Sequence, residues 1–154
     1  MIDIYKGWIS DFGVDGFRID TVKHVRDEFW VQFADAILAH AKAEGIEHFH
    51  LFGEVSEEQV EPQHLARFTT QAGLPAVLDF SFQAATELFV VHGTPGIDLM
   101  RFYASDAIYA NGEATARRLP TFLGNHDMGR LSGFLRAENP QMSDAEMLAR
   151  LKIA

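Results

Sequence analysis

Three acidic residues each follow a short strand-like run, and the distances between them fit a repeating strand–helix unit. Asp20 ends Gly16-Phe17-Arg18-Ile19-Asp20, Glu54 ends Leu51-Phe52-Gly53-Glu54, and Asp127 closes Phe122-Leu123-Gly124-Asn125-His126-Asp127. From Asp20 to Glu54 is 34 residues, and from Glu54 to Asp127 is 73. A βαβ unit occupies about 30 residues or more, so these intervals read as one repeat and then two. In a (β/α)₈ barrel every strand opens its C-terminal end onto the same face. Acids ending three such strands would converge on one pocket.

The stretches between the acids agree with that reading. Ile2, Tyr5, Ile9 and Phe12 keep helical spacing, and Gly13 supplies a stop. Phe29, Trp30, Phe33, Ile37 and Ala41 form a second apolar stripe, with Asp27 and Glu28 at its start and Gly45 past its end. A third strand is expected at 76–80, after Gly73-Leu74-Pro75. Helices are expected near 82–91 and 97–107, divided at Gly93-Thr94-Pro95-Gly96. Ser143-Asp144-Ala145-Glu146 has the capping-box pattern, with Met147, Leu148 and Leu151 as the apolar face behind it. Strand-like runs number four, at 16–20, 49–54, 76–80 and 119–123, and alternate with helices as in parallel α/β architecture.

Strand alternation puts Gly16, Arg18 and Asp20 on one face and Phe17 and Ile19 on the other. The apolar pair should meet the helices, which leaves Arg18 beside Asp20. A neighbouring guanidinium favours an ionised carboxylate, whereas an acid emerging from an apolar strand, as Glu54 does, is partly desolvated and favours its protonated form. One ionised and one protonated carboxyl is the division of labour of a retaining glycosidase. Each signal alone has a plainer reading: Arg-x-Asp as a structural ion pair, Glu54 as a helix-entry residue, Asn-His-Asp as a polar turn. The common strand-end position of all three acids favours the catalytic one. Glu57 and Glu58 read as solvated residues.

The same residues carry a family resemblance. Gly16-Phe17-Arg18-Ile19-Asp20-Thr21-Val22-Lys23-His24 resembles the strand-4 motif of the α-amylase superfamily, glycoside hydrolase family 13. Phe52-Gly53-Glu54-Val55 resembles its strand-5 motif, and Phe122-Leu123-Gly124-Asn125-His126-Asp127 its strand-7 motif. The resemblance implies a TIM-type (β/α)₈ barrel, represented by about strands 4–7 with their helices. Residues 1–154 would then be an incomplete catalytic barrel domain, lacking the strand-3 motif, strands one, two and eight and a C-terminal β domain. It implies Asp20 as nucleophile, Glu54 as general acid/base and Asp127 as a third carboxylate that grips sugar hydroxyls. Arg18, Lys23, His24 and His126 would contact substrate or its neighbours. The Lys23-His24 pair resembles α-amylases more than α-glucosidases or 1,6-specific relatives.

The expected chemistry is retaining double displacement on an α-1,4-glucan or maltooligosaccharide. Alternatives are a related α-glucosidase or transglycosylase, or a non-catalytic fragment that binds glucan; turnover by the chain alone is not expected. The backbone carbonyl of His24 is the expected contribution to a structural calcium site, with no catalytic metal. The formal charge of −9 disfavours a nucleic-acid partner. No apolar run reaches the length of a membrane span, and residues 1–15 have no signal-peptide pattern. The absence of cysteine excludes disulfides and thiolate metal sites. His40, His48, His50, His64 and His92 are scattered and read as surface or packing histidines. Open barrel edges would invite self-association, and the resemblance implies an extracellular or periplasmic setting.

Overall fold

Gly13 ends the first helix as its position suggests. Helix α1 (Ile2–Phe12) closes on Gly13 in the left-handed conformation, φ 64°, where glycine carries no Cβ penalty. The computed structural model describes residues 1–154 and divides them into two units. The first comprises 1–56, 63–78 and 107–120, and the second 57–62, 79–106 and 121–154.

The first unit holds a three-stranded parallel sheet, β1 (Gly16–Ile19), β2 (His50–Gly53) and β3 (Ala76–Val77), in that spatial order. Helix α2 (Asp27–Ala43) connects β1 to β2, and α3 (Pro62–Thr70) precedes β3. Register aligns Gly16 with His50 and Ile19 with Gly53. A Cβ on Gly16 would lie 2.3 Å from the His50 carbonyl, so only glycine lets β1 run this close to β2.

Alternation along β1 holds. Phe17 meets Tyr5 of α1 edge-on, with ring centroids 5.0 Å apart, and Tyr5 meets Phe33 of α2 at the same separation. These rings lock the outward face of β1 against both helices. Trp30, Phe33, Ala34, Ile37 and Ala41 form the buried stripe of α2, and Leu51 and Val77 fill the strands between. On its other face α1 leaves Ile4, Trp8 and Phe12 exposed at successive turns.

The second unit contains α4 (Phe80–Val90), α5 (Gly96–Tyr103), α7 (Leu131–Glu138) and α8 (Asp144–Leu151). A four-residue helix, α6 (Glu113–Ala116), belongs to the first unit. Val90, Val91, Leu131, Leu135 and Met142 form one buried cluster, flanked by Phe89, Phe134, Met147 and Leu151. Ser143 caps α8 by accepting from the Glu146 N–H at 3.2 Å, as the capping-box pattern implies. No helix is long and apolar enough to cross a membrane.

The fourth expected strand is absent. Residues 119–123 are irregular. Pro120 has no N–H to give a ladder, and the only backbone bond donated from this stretch is the turn bond from Leu119 to the Ala116 carbonyl. Residues 76–80 likewise yield only a two-residue strand, because helix α4 already begins at Phe80.

Candidate active site

Parallel pairing places Asp20 and Glu54 side by side. Ile19 pairs with Gly53, so the next residue along each strand is the acid. The junction is tied by backbone bonds in both directions: the Glu54 N–H donates to Ile19 O at 2.7 Å, and the Val22 N–H donates to Glu54 O at 3.0 Å. Gly53 is confined beneath Glu54. A Cβ there would come within 2.7 Å of Val22 Cγ2 and 2.9 Å of Leu74 Cδ1.

Arg18 bridges the two acids. Its Nη1 donates to Asp20 Oδ1 at 3.0 Å and its Nη2 to Glu54 Oε1 at 2.6 Å. The environments of the acids differ sharply: the Asp20 side chain is 64% exposed and that of Glu54 only 9%. Sequence alternation pairs Arg18 with Asp20 alone; the shorter contact, to an acid 36 positions away, required the fold. A long hydrogen bond, 3.4 Å, runs from the Thr21 N–H to Glu54 Oε2. Thr21 adopts φ 51°, the only residue other than glycine with positive φ.

Lys23 and His24 lie on the 3₁₀ turn Val22–His24 that follows Thr21. Lys23 donates from Nζ to the Ser56 carbonyl at 2.7 Å, tying the loop after β1 to the loop after β2. His24 is exposed. Its carbonyl accepts no backbone bond and so remains available as one oxygen ligand. Calcium takes six to eight oxygens. The adjoining surface gathers Lys23, Arg26 and Arg67 with Asp27 and Glu28, and Asp27 Oδ2 is held by Arg67 at 2.5 Å. These residues alone do not fit a calcium cage.

Asp127 and His126 belong to the second unit, on a loop organised by Asn125. Asn125 Oδ1 accepts from the Asp127 and Met128 N–H groups at 2.9 and 3.1 Å, forming a side-chain-closed turn. Arg130 donates to the Gly124 carbonyl at 3.3 Å. A Cβ on Gly124 would stand 2.5 Å from Gly129 O, so this loop also depends on a glycine. His126 Nε2 lies 3.2 Å from Asp127 Oδ2, and both side chains are exposed. The polar-turn reading therefore describes the loop's local structure, and the turn presents both side chains outward.

Two ionisable groups outside these sets are displaced from their ordinary ranges. Asp79 is buried at the start of α4, and desolvation raises its carboxyl from 3.8 to about 6. The Phe82 N–H, which it accepts at 2.9 Å, opposes the rise, while Asp106 adds to it. His50 at the start of β2 is lowered, first by burial and then by the Arg118 charge. Neither was singled out in the sequence as a site residue.

The family model described as the alpha-amylase catalytic domain matches residues 1–154. An alpha-amylase of Streptomyces lividans is 42% identical over 154 residues, covering all of this chain and 16% of that protein. A cyclomaltodextrin glucanotransferase of Klebsiella oxytoca is 31% identical over 144 residues, covering 89% of this chain and 21% of its own length. Among solved structures, an Anoxybacillus alpha-amylase superposes with TM-score 0.76 at 30% identity, over 99% of this chain and 30% of that one. The chain thus spans less than a third of the length of each of these relatives.

Proposed function

The chain belongs to the alpha-amylase catalytic-domain family, and from that premise we propose that it carries the catalytic carboxylates of a retaining α-1,4-glucan hydrolase. The observation that carries this is the Asp20–Arg18–Glu54 cluster at the C-terminal ends of adjacent parallel strands. In this proposal the three strands are central strands of a (β/α)₈ barrel, about strands 4–6, with Asp127 following the position of a seventh. Two features support it: β1 is an edge strand, and α1 exposes the apolar stripe Ile4, Trp8 and Phe12. A neighbouring strand and helix would cover both. A second copy would also cover the stripe, and sedimentation of the isolated chain separates monomer from dimer.

In this reading the exposed Asp20 carboxylate attacks an anomeric carbon arriving from solvent, with the Arg18 contact at 3.0 Å supporting a fixed orientation. Glu54, buried and fixed by backbone bonds on both sides, protonates the departing glycosidic oxygen and then activates the water that releases the product. By the resemblance of their motifs, Asp127 and His126 would contact sugar hydroxyls, and Lys23 and His24 would face the leaving-group side. A structural calcium would take the His24 carbonyl and draw its other oxygens from elsewhere.

Starch incubation tests the proposal: with a polypeptide that carries residues 1–154 within a complete barrel, the parent protein of this proposal, reducing sugar should appear and should fall by several powers of ten with Glu54→Gln. Unchanged release by the variant removes Glu54 from the mechanism. The likeness to a cyclomaltodextrin glucanotransferase supports a second reading, transfer to a sugar hydroxyl in place of water. Cyclic rather than linear products would select it.

A further inference from the structure

Trp30 is 5% exposed near the start of α2, and its single polar atom is directed outside the helix. The indole N–H donates to the Val22 carbonyl at 3.0 Å. The same carbonyl accepts from the Val25 N–H at 3.1 Å, closing the 3₁₀ turn. A buried indole N–H requires a partner, but the partner chosen here is the turn that faces Glu54. Thr21 and Val22 enter that turn with N–H groups directed to the Glu54 carboxylate and the Glu54 carbonyl respectively. Thr21 does so at positive φ, a conformation a β-branched residue keeps only when its surroundings hold it.

We infer that Trp30 is a positioning residue for Glu54: its indole N–H fixes the Thr21–Val22 turn, which sets the orientation of the buried carboxyl. This rests on the reading of Glu54 as proton donor. The packing of Trp30 alone, against Phe29 and Phe33, explains its burial but not the direction of its N–H. With the N–H removed, the turn keeps the Val25 bond and loses its anchor to α2. Thr21 can then relax from positive φ, and its contact with Glu54 Oε2 is lost.

The test is Trp30→Phe in the parent protein, assayed with aryl maltosides whose leaving groups differ in basicity. A misplaced proton donor penalises a poor leaving group that needs protonation and spares an activated one. The expected loss in kcat/KM is roughly tenfold or more with the poor leaving group and within about twofold with the activated one. An equal loss with both, or none, overturns the inference. Glu54→Gln is measured alongside. If that variant's kcat/KM, which reports the step that expels the leaving group, falls equally with both substrates, it is the reading of Glu54 as acid that fails, whatever Trp30 does. A readout independent of turnover uses the 154-residue chain: Trp30→Phe should shift the Thr21 amide and Glu54 δ-carbon resonances, and unshifted signals overturn the proposal. Where Trp30→Phe does not fold, the benzothiophene analogue of tryptophan in the 154-residue chain with Trp8→Phe, where Trp30 is the one remaining tryptophan, removes the N–H at nearly constant ring volume. The same shifts at Thr21 and Glu54 are then expected, and unshifted signals overturn the proposal.

Discussion

Replacing Asp79 by asparagine should stabilise the protein at neutral pH and leave it unchanged in acid. Asp79 is 7% exposed and caps α4 through the Phe82 N–H at 2.9 Å. Asparagine keeps an acceptor for that bond and removes the charge. Burial raises the folded-state carboxyl to about 6 from an ordinary 3.8, so the unfolded chain loses its proton first as pH rises. The group's contribution is fully present below pH 3.8, declines as pH rises, and is gone above about pH 6. At about 1.4 kcal/mol per pH unit the difference amounts to at most about 3 kcal/mol. In a chain of this size that corresponds to roughly 6–12 °C in Tm. Urea unfolding of wild type and Asp79→Asn at several pH values between 4 and 7.5 reads it directly. The variant's advantage should grow from near zero at the acid end to a plateau above pH 6.5. A gap that stays constant with pH, or a variant less stable throughout, would refute the claim that an ionised buried carboxylate opposes folding here.

Other perturbations separate orientation from stability. Arg18→Met removes the guanidinium that donates to both Asp20 Oδ1 and Glu54 Oε1 and should cost roughly 1–3 kcal/mol by urea unfolding. Asp20→Asn, at the exposed end of the same bridge, should cost less than about 1 kcal/mol while abolishing turnover. Gly53→Ala drives a methyl into Val22 and Leu74 and should destabilise by about 1–3 kcal/mol. Ser143→Ala removes the α8 cap and should cost about 1 kcal/mol with activity unchanged.

What could be read from the sequence was whatever depends on local periodicity. Helices α1 and α2, both strand-end acids and the α8 cap follow from apolar spacing and terminators that act within a few residues. Helix α3 was not anticipated, because Leu65, Ala66 and Phe68 stand among Gln, His, Arg and Thr and leave a weak stripe. Helix α7 offered Leu131, Phe134 and Leu135 at helical spacing, interrupted by Gly133. The strand expected at 119–123 came from apolar content, which Pro120 and the lack of ladder bonds override. Within the site, the acids were identifiable by position, whereas the sharing of Arg18 was not. That contact depends on the register of β1 against β2, a relation between residues 36 apart. The positive φ of Thr21 and the indole bond to Val22 arise from the same tertiary closure and leave no trace in residue type.

The central claim is that Asp20 and Glu54 are the working pair of a retaining mechanism. It is tested most directly by trapping the intermediate in the parent protein with a 5-fluoro-maltosyl fluoride and locating the label by peptide mass spectrometry. The account predicts a glycosyl adduct on the peptide containing Asp20, absent in Asp20→Asn. An adduct on another carboxylate, or starch hydrolysis that survives in Asp20→Asn, would contradict it.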